Sequence, residues 1–279
     1  MRAAAVQLNS TGDKAHNVET AERLVRAAAA DGAELVALPE KWNVLGDSDT
    51  LRDGAESLEG PTISAAAGWG RELGIHLVAG SIAERVEGHD KSFNTSVLIG
   101  PQGELEARYR KIHMFDVEVG GVEYRESAGE EPGEEIVTAG IGGRLEGVTL
   151  GLTVCYDLRF PELYRILAVR GATVITIPSA FTFETGERHW EVLVRARAIE
   201  NQAFVIAPNQ VGDAPPHYRS WGHSMIVDPW GEILAEAPDE ECFIAAELDL
   251  ELQERVRTTL PSLANRRPET YSWTDQVRA

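Results

Sequence analysis

The feature that most constrains this chain is its alternation of short apolar runs with longer amphipathic ones. RAAAVQL at residues 2–8 reads as a buried strand. Residues 17–30 follow with Val18, Ala21, Val25 and Ala28 on one helical face, and Asp31 with Gly32 stops that helix. ELVALPE at 34–40 is the next strand. A strand, a helix and a strand in that order make a βαβ unit with parallel strands.

The pattern continues. A helix is expected over 62–74, ending at Gly74, and IHLVAGSIAER (75–85) reads as a strand. SFNTSVLIG and ELEARYRKI flank Pro101, Gln102 and Gly103, which predicts a β-hairpin. Residues 116–133 are rich in Gly and Glu and read as a loop. The second half repeats the style. VTLGLTVCYD (148–157) is a strand ending at a cysteine, and PELYRILAVRG (161–171) is a helix opened by Pro and closed by Gly. ATVITIPSA and AFVIAPNQ read as strands around an amphipathic helix at 187–202. HSMIVDPWGEILAEA reads as a hairpin, and ECFIAAELDL as a last strand. The expected fold class is α/β, with two similar layers, each a sheet covered by helices. No convincing domain boundary interrupts residues 1–279, so one domain is expected.

Composition narrows the function. With 279 residues, 43% hydrophobic and 25% charged, the chain can build a sizeable core without a metal or disulfide staple. A formal net charge of −19 repels phosphate backbones and anionic lipid, so neither nucleic acid nor membrane is an expected partner. The two cysteines, Cys155 and Cys242, form no CxxC pair and no metal-ligand spacing with His, so no metal is expected. So few thiols suit a reducing, cytoplasmic setting. The apolar run at the N-terminus is too short for a signal peptide, and no stretch has the length of a membrane span.

Three chemically versatile residues end predicted strands: Glu40 in VALPE, Lys111 in RYRKIH and Cys155 in GLTVCYD. Ligands in open α/β sheets bind at strand ends. Taken singly, each has an ordinary explanation, as a solvated Glu, a surface Lys and a small core Cys. Together they have a chemical logic. A carboxylate takes the proton of a thiol and later delivers one to a leaving amine, while an ammonium stabilises the thiolate and a developing oxyanion.

The chain resembles the nitrilase superfamily of carbon–nitrogen hydrolases through LPE (38–40), YRKIHMFD (109–116), CYDLRFPEL (155–163), HWEVLVRARAIENQ (189–202) and WGHSMIVDPWG (221–231). The resemblance runs from AAAVQ (3–7) to RRPETY (266–271). It implies a four-layer αββα sandwich, two copies of which pair, with residues 250–279 as a C-terminal extension at the dimer interface. It implies Cys155 as nucleophile forming a thioester, Glu40 as general base and acid, and Lys111 with the Tyr156 N–H at the oxyanion. Glu126, in YRES, matches a second glutamate that positions groups or the attacking water. The substrate pocket is expected near Pro178, Ser179, Ala180 and Phe181, with Asn209 and Tyr218 as further contacts.

Other residues read as structural. His113 is expected to pack and hydrogen-bond, His189 and His223 lack metal-ligand partners, and Asp157 is expected to pair with Arg159. Cys242 reads as core. Gly140, Gly142 and Gly143 are followed by no GKS or GKT, so no phosphate loop is expected. RFPEL (159–163) and PSAF (178–181) resemble the Nit branch and point to deaminated glutathione, while SWGHS (220–224) resembles ω-amidase. The expected partner is a small carboxylate-bearing amide, with Arg159, Arg125 or Arg219 as the cation that meets its carboxylate. Competing readings are an ω-amidase acting on α-ketoglutaramate-type substrates, an N-carbamoyl amidohydrolase and a catalytically silent interaction module. No cofactor is expected.

Overall fold

The computed structural model describes residues 1–214 and 218–270. Two sheets form the centre of the molecule. In the first, the strands Arg2–Gln7, Leu35–Ala37 and His76–Val78 run parallel, and Cys242–Glu247 and Ser92–Ile99 flank them antiparallel. In the second, Thr149–Leu152, Val174–Thr176 and Phe204–Ala207 run parallel, flanked by antiparallel Thr138–Gly140 and Met225–Val227, the latter paired in turn with Ile233–Glu236.

Strand alternation separates the layers. Ala4 and Val6 join Leu24, Val25 and Ala28 of the helix Lys14–Ala30 and Ile63, Ala66 and Trp69 of Pro61–Leu73 in one core. Ala3 and Ala5, pointing the other way, join Ala37, Val78 and the buried residues of the second sheet in another. Small side chains here let the two sheets approach. The helices Pro161–Val169 and Phe183–Asn201 cover the far face of the second sheet through Leu163, Leu167, Trp190 and Val194. The layering is helix, sheet, sheet, helix.

Local chemistry sets the boundaries. Asp13 accepts from the His16 N–H at the start of the first helix, and Gly74 ends Pro61–Leu73 with φ at +64°. The expected strand 75–85 breaks into His76–Val78 and Ile82–Glu84 because Gly80 turns the backbone at φ +45°. Residues 116–133, expected to be a loop, contain a hairpin of Asp116–Val119 and Val122–Arg125 turned by Gly120 and Gly121, both at positive φ. The helix Leu250–Thr259 docks on its own chain: Gln253 Nε2 donates to the carbonyls of Thr173 and Gln202 at 2.9 and 2.8 Å. Residues 271–279, the rest of the expected dimer segment, lie outside the described residues. Among the described residues no helix is long and apolar enough to cross a membrane.

Candidate active site

The parallel strands of both sheets deliver their C-terminal ends to one cavity of about 280 Å³, whose lining includes Glu40, Lys111, Glu126, Cys155, Tyr156, Ala180 and Phe181. Glu40 follows the strand Leu35–Ala37, Lys111 follows Leu105–Arg110, and Cys155 follows Thr149–Leu152. All three are buried.

Lys111 is the hub. Its Nζ donates to Glu40 Oε1 at 3.0 Å and to both oxygens of Glu126 at 2.9 and 2.8 Å. Burial would lower its pKa, but Glu126 and then Glu40 hold it well above the ordinary value, so the ammonium stays charged. Glu126 is fixed from the hairpin side, where the Phe115 N–H donates to Oε2 at 2.7 Å. Burial pushes the Glu126 carboxyl up, and Lys111 with Lys41 pulls it down further, so the net shift is downward and Glu126 is ionised. Asn94 Nδ2 bridges Glu40 Oε1 at 2.8 Å and Glu126 Oε1 at 3.2 Å.

Cys155 opens a tight turn, Cys155–Arg159, and its φ of +47° is left-handed, a conformation that costs a non-glycine residue about 1 kcal/mol or more. Asp157 holds the turn. Its carboxylate accepts from the Val154 N–H at 2.9 Å, the Tyr109 hydroxyl at 2.7 Å and the His113 N–H at 3.2 Å, and it meets His113 Nδ1 at 2.7 Å. The expected pairing of Asp157 with Arg159 is therefore corrected: Tyr109 and His113, from the first-sheet side, occupy the buried carboxylate. His113 also stacks on Phe160 with 3.6 Å between centroids.

The Cys155 thiol is pushed well above its ordinary pKa, first by burial and next by the Glu40 charge, with Lys111 pulling the other way. Burial and the Glu40 charge thus favour the thiol over a preformed thiolate in the resting site. Fast reaction with thiol reagents at mildly acidic pH is accordingly not expected of this cysteine.

The remaining expected residues divide. Ala180 and Phe181 line the cavity, and the Ala180 N–H donates to Glu40 Oε2 at 2.9 Å. Ser179 is not part of the lining, since its hydroxyl donates to the Ile177 carbonyl at 3.0 Å. Asn209 braces the loop by accepting from the Phe181 N–H at 3.0 Å. The Tyr218 side chain lies outside what is described. Arg159 is half-buried and packs against two residues of the cavity lining, its guanidinium 5.1 Å from the Phe181 ring centroid and 5.9 Å from that of Tyr156. It meets His189 Nδ1 at 3.3 Å and has no carboxylate partner among the described residues. Arg125 lines the mouth, exposed and paired with Glu123, and Arg219 lies over Phe183 near Asp213. His223 meets Glu236 and stacks on Trp221. No group of three or more His, Cys, Asp or Glu suited to a metal ion occurs among the described residues.

Sequence reasoning missed Asn94, Lys41 and Glu130. Asn94, like Thr95 and Ser96, is a polar residue that the strand Ser92–Ile99 buries, and its amide needs a partner there. Lys41 and Glu130 are charged side chains that the fold buries.

Residues 2–258 match the family model described as carbon-nitrogen hydrolase. The deaminated glutathione amidase of Synechocystis sp. (strain PCC 6803) is 40% identical over 95% of this chain and 97% of its own length. The omega-amidase NIT2 of Homo sapiens is 37% identical over 97% of this chain and 96% of its own. The crystal structure of Saccharomyces cerevisiae Nit3, a member of branch 10 of the nitrilase superfamily, superposes with a TM-score of 0.86 at 33% identity, covering 97% of each chain.

Proposed function

The chain belongs to the carbon–nitrogen hydrolase family, and from that premise we propose a cysteine-dependent amidase that cleaves a small carboxylate-bearing amide, with deaminated glutathione as the leading substrate. The observation that carries this reading is the convergence of Glu40, Lys111, Glu126 and Cys155 on one cavity, where Lys111 bonds both glutamates.

The geometry supports the following sequence. Glu40 takes the Cys155 proton as Sγ bonds to the amide carbonyl carbon. The oxygen gains negative charge, which Lys111 and the Tyr156 N–H stabilise; backbone donors at the start of a helical turn have no partner within it. Glu40 then protonates the nitrogen, the C–N bond breaks, and an amine leaves a thioester on Cys155. Water gives a proton to Glu40 and attacks the thioester carbonyl, the C–S bond breaks, and the acid departs as the thiol regains its proton. Glu126 holds Lys111 in place throughout.

Deaminated glutathione and α-ketoglutaramate would give the same acyl group on sulfur and differ in what leaves, a dipeptide amine or ammonia. Both acyl groups end in a carboxylate. Arg159 is the best cation for it, because Arg125 and Arg219 each already face a carboxylate. RFPEL and PSAF favour the dipeptide-bearing substrate over the ω-amidase alternative. We read the chain as a single cytoplasmic hydrolase domain that acts as a homodimer. Val169, Val192 and Ile199, exposed on the two helices of the second sheet, support the pairing.

The test is product release from deaminated glutathione, α-ketoglutaramate, an N-carbamoyl amine and a simple nitrile, wild type against Cys155→Ala. Turnover of deaminated glutathione that vanishes in the variant is expected. Turnover of the carbamoyl compound or nitrile alone overturns the amide reading, and turnover that survives in Cys155→Ala overturns the nucleophile.

A further inference from the structure

One pair of charges beside the site has no part in the chemistry above. Lys41 follows Glu40 in the chain, and its backbone is left-handed at φ +52°. A lysine pays about 1 kcal/mol or more for that conformation, so the surroundings must hold it there. The Lys41 N–H donates to the buried Ser81 hydroxyl at 3.1 Å. The turned backbone sends the side chain inward, where its ammonium lies 2.9 Å from Glu130 Oε1 and 3.5 Å from Glu126 Oε1. All three side chains are no more than 9% exposed.

A buried ion pair is a poor source of stability, because desolvation cancels most of the attraction. Its effect here is on geometry and charge. Glu126 must stay ionised and aimed at Lys111 while Glu130 and Glu40 stand close by. The buried region holds three carboxylates, Glu40, Glu126 and Glu130, against two ammoniums, Lys41 and Lys111. Without Lys41, Lys111 alone would have to balance all three. With Lys41 present, Glu126 is clamped between two cations, and Glu130 anchors the outer one.

We propose that Lys41 and Glu130 form a buried positioning pair, which fixes Glu126 on Lys111 and thereby sets the charge that Cys155 meets. The proposal rests on the amidase reading for its catalytic consequence, though not for its electrostatic one. Lys41 borders the cavity, but its ammonium is turned to Glu130 and Glu126, and Glu130 lies outside the lining; in this account both act through Glu126.

Two readouts on a Cys242→Ser background test it. The first is the pH profile of Cys155 alkylation by iodoacetamide, which needs no substrate. Lys41→Met removes a positive charge from the cluster, so the alkylation midpoint should move to higher pH, and Lys41→Arg should restore it. The second is steady-state hydrolysis of deaminated glutathione or α-ketoglutaramate. Lys41→Met should lower kcat about tenfold to a hundredfold with KM within about threefold, as for a mispositioned group. In a Glu126→Gln background the same change should add little further loss. If Lys41→Met leaves Glu130 stranded and does not fold, Lys41→Met with Glu130→Gln replaces it as a charge-free pair; the two charges removed cancel, so its midpoint should stay near wild type while kcat falls as for the single change, and an unchanged kcat there would overturn the proposal. An unmoved midpoint in Lys41→Met, or losses that multiply independently with Glu126→Gln, would overturn the proposal. Wild-type protein that turns over neither amide, with the midpoint shift intact, would count against the amidase reading and leave the positioning pair standing.

Discussion

The Ala180 N–H reaches Glu40 Oε2 at 2.9 Å from the second-sheet side, while Lys111 and Asn94 hold Oε1 from the first-sheet side at 3.0 and 2.8 Å. Every one of these partners is a donor. Glu40→Gln must therefore turn its own NH2 toward a donor in either orientation. We expect kcat to fall about 10²- to 10⁴-fold, as when a general base is lost, with a stability loss of about 1–3 kcal/mol from the clash of donors. The same change should make Cys155 more acidic, because the Glu40 charge is one cause of its raised pKa. Iodoacetamide alkylation followed against pH should show a lower midpoint in Glu40→Gln than in wild type. A variant that loses turnover while its thiol ionises more easily separates the base from the electrostatics; unchanged turnover would mean that Glu40 is not the base.

Gly80 secures the same glutamate from below. A Cβ built there would lie 1.9 Å from the Pro39 carbonyl oxygen, at a φ of +45° that L side chains rarely adopt. Gly80→Ala can fold only by pushing Pro39, and with it Glu40, out of place. The expected cost is on the order of 2–4 kcal/mol in denaturant unfolding, with a loss of kcat in whatever folded protein remains. Wild-type stability and rate in Gly80→Ala would show that this close approach is not needed.

What was legible in the sequence follows the range of the forces involved. The apolar runs and helical faces are local, so the βαβ units and the strand ends carrying Glu40, Lys111 and Cys155 could be read directly. Glu126 came from resemblance alone, because the Glu-rich composition of 116–133 hid the hairpin that aims it. Gly120 followed by Gly121 between alternating residues was the available signal. The partner of Asp157 could not be read, since Tyr109 and His113 reach it from the other sheet. Lys41 and Glu130 were opaque for the same reason: a charge separated by some ninety residues from its partner looks solvated until the fold brings the two together.

Arg159 stands between the Tyr156 and Phe181 rings without a carboxylate partner among the described residues, and burial lowers its pKa. A substrate carboxylate would supply the missing charge. Arg159→Ala should raise KM about 10- to 100-fold for α-ketoglutaramate, the usual effect of losing a charged hydrogen bond, and far less for a neutral amide of similar size. Equal losses on both would show that Arg159 acts by packing.

Glu130 gives the protein a pH dependence whose sign can be worked out. Burial first, opposed by Lys41 and reinforced by Glu126, raises its carboxyl from 4.5 to about 7. Between those values the folded protein binds a proton that the unfolded chain has released, so stability falls as pH rises through this window. The contribution is complete below about pH 4.5 and gone above about pH 7, a change on the order of 3 kcal/mol. Glu130→Gln keeps the shape and cannot titrate. Denaturant unfolding at pH 5, 6 and 7.5 should show a steeper decline in wild type than in Glu130→Gln, with the variant gaining relative stability as pH rises. Parallel slopes would mean that Glu130 is already ionised throughout, held so by Lys41 at 2.9 Å.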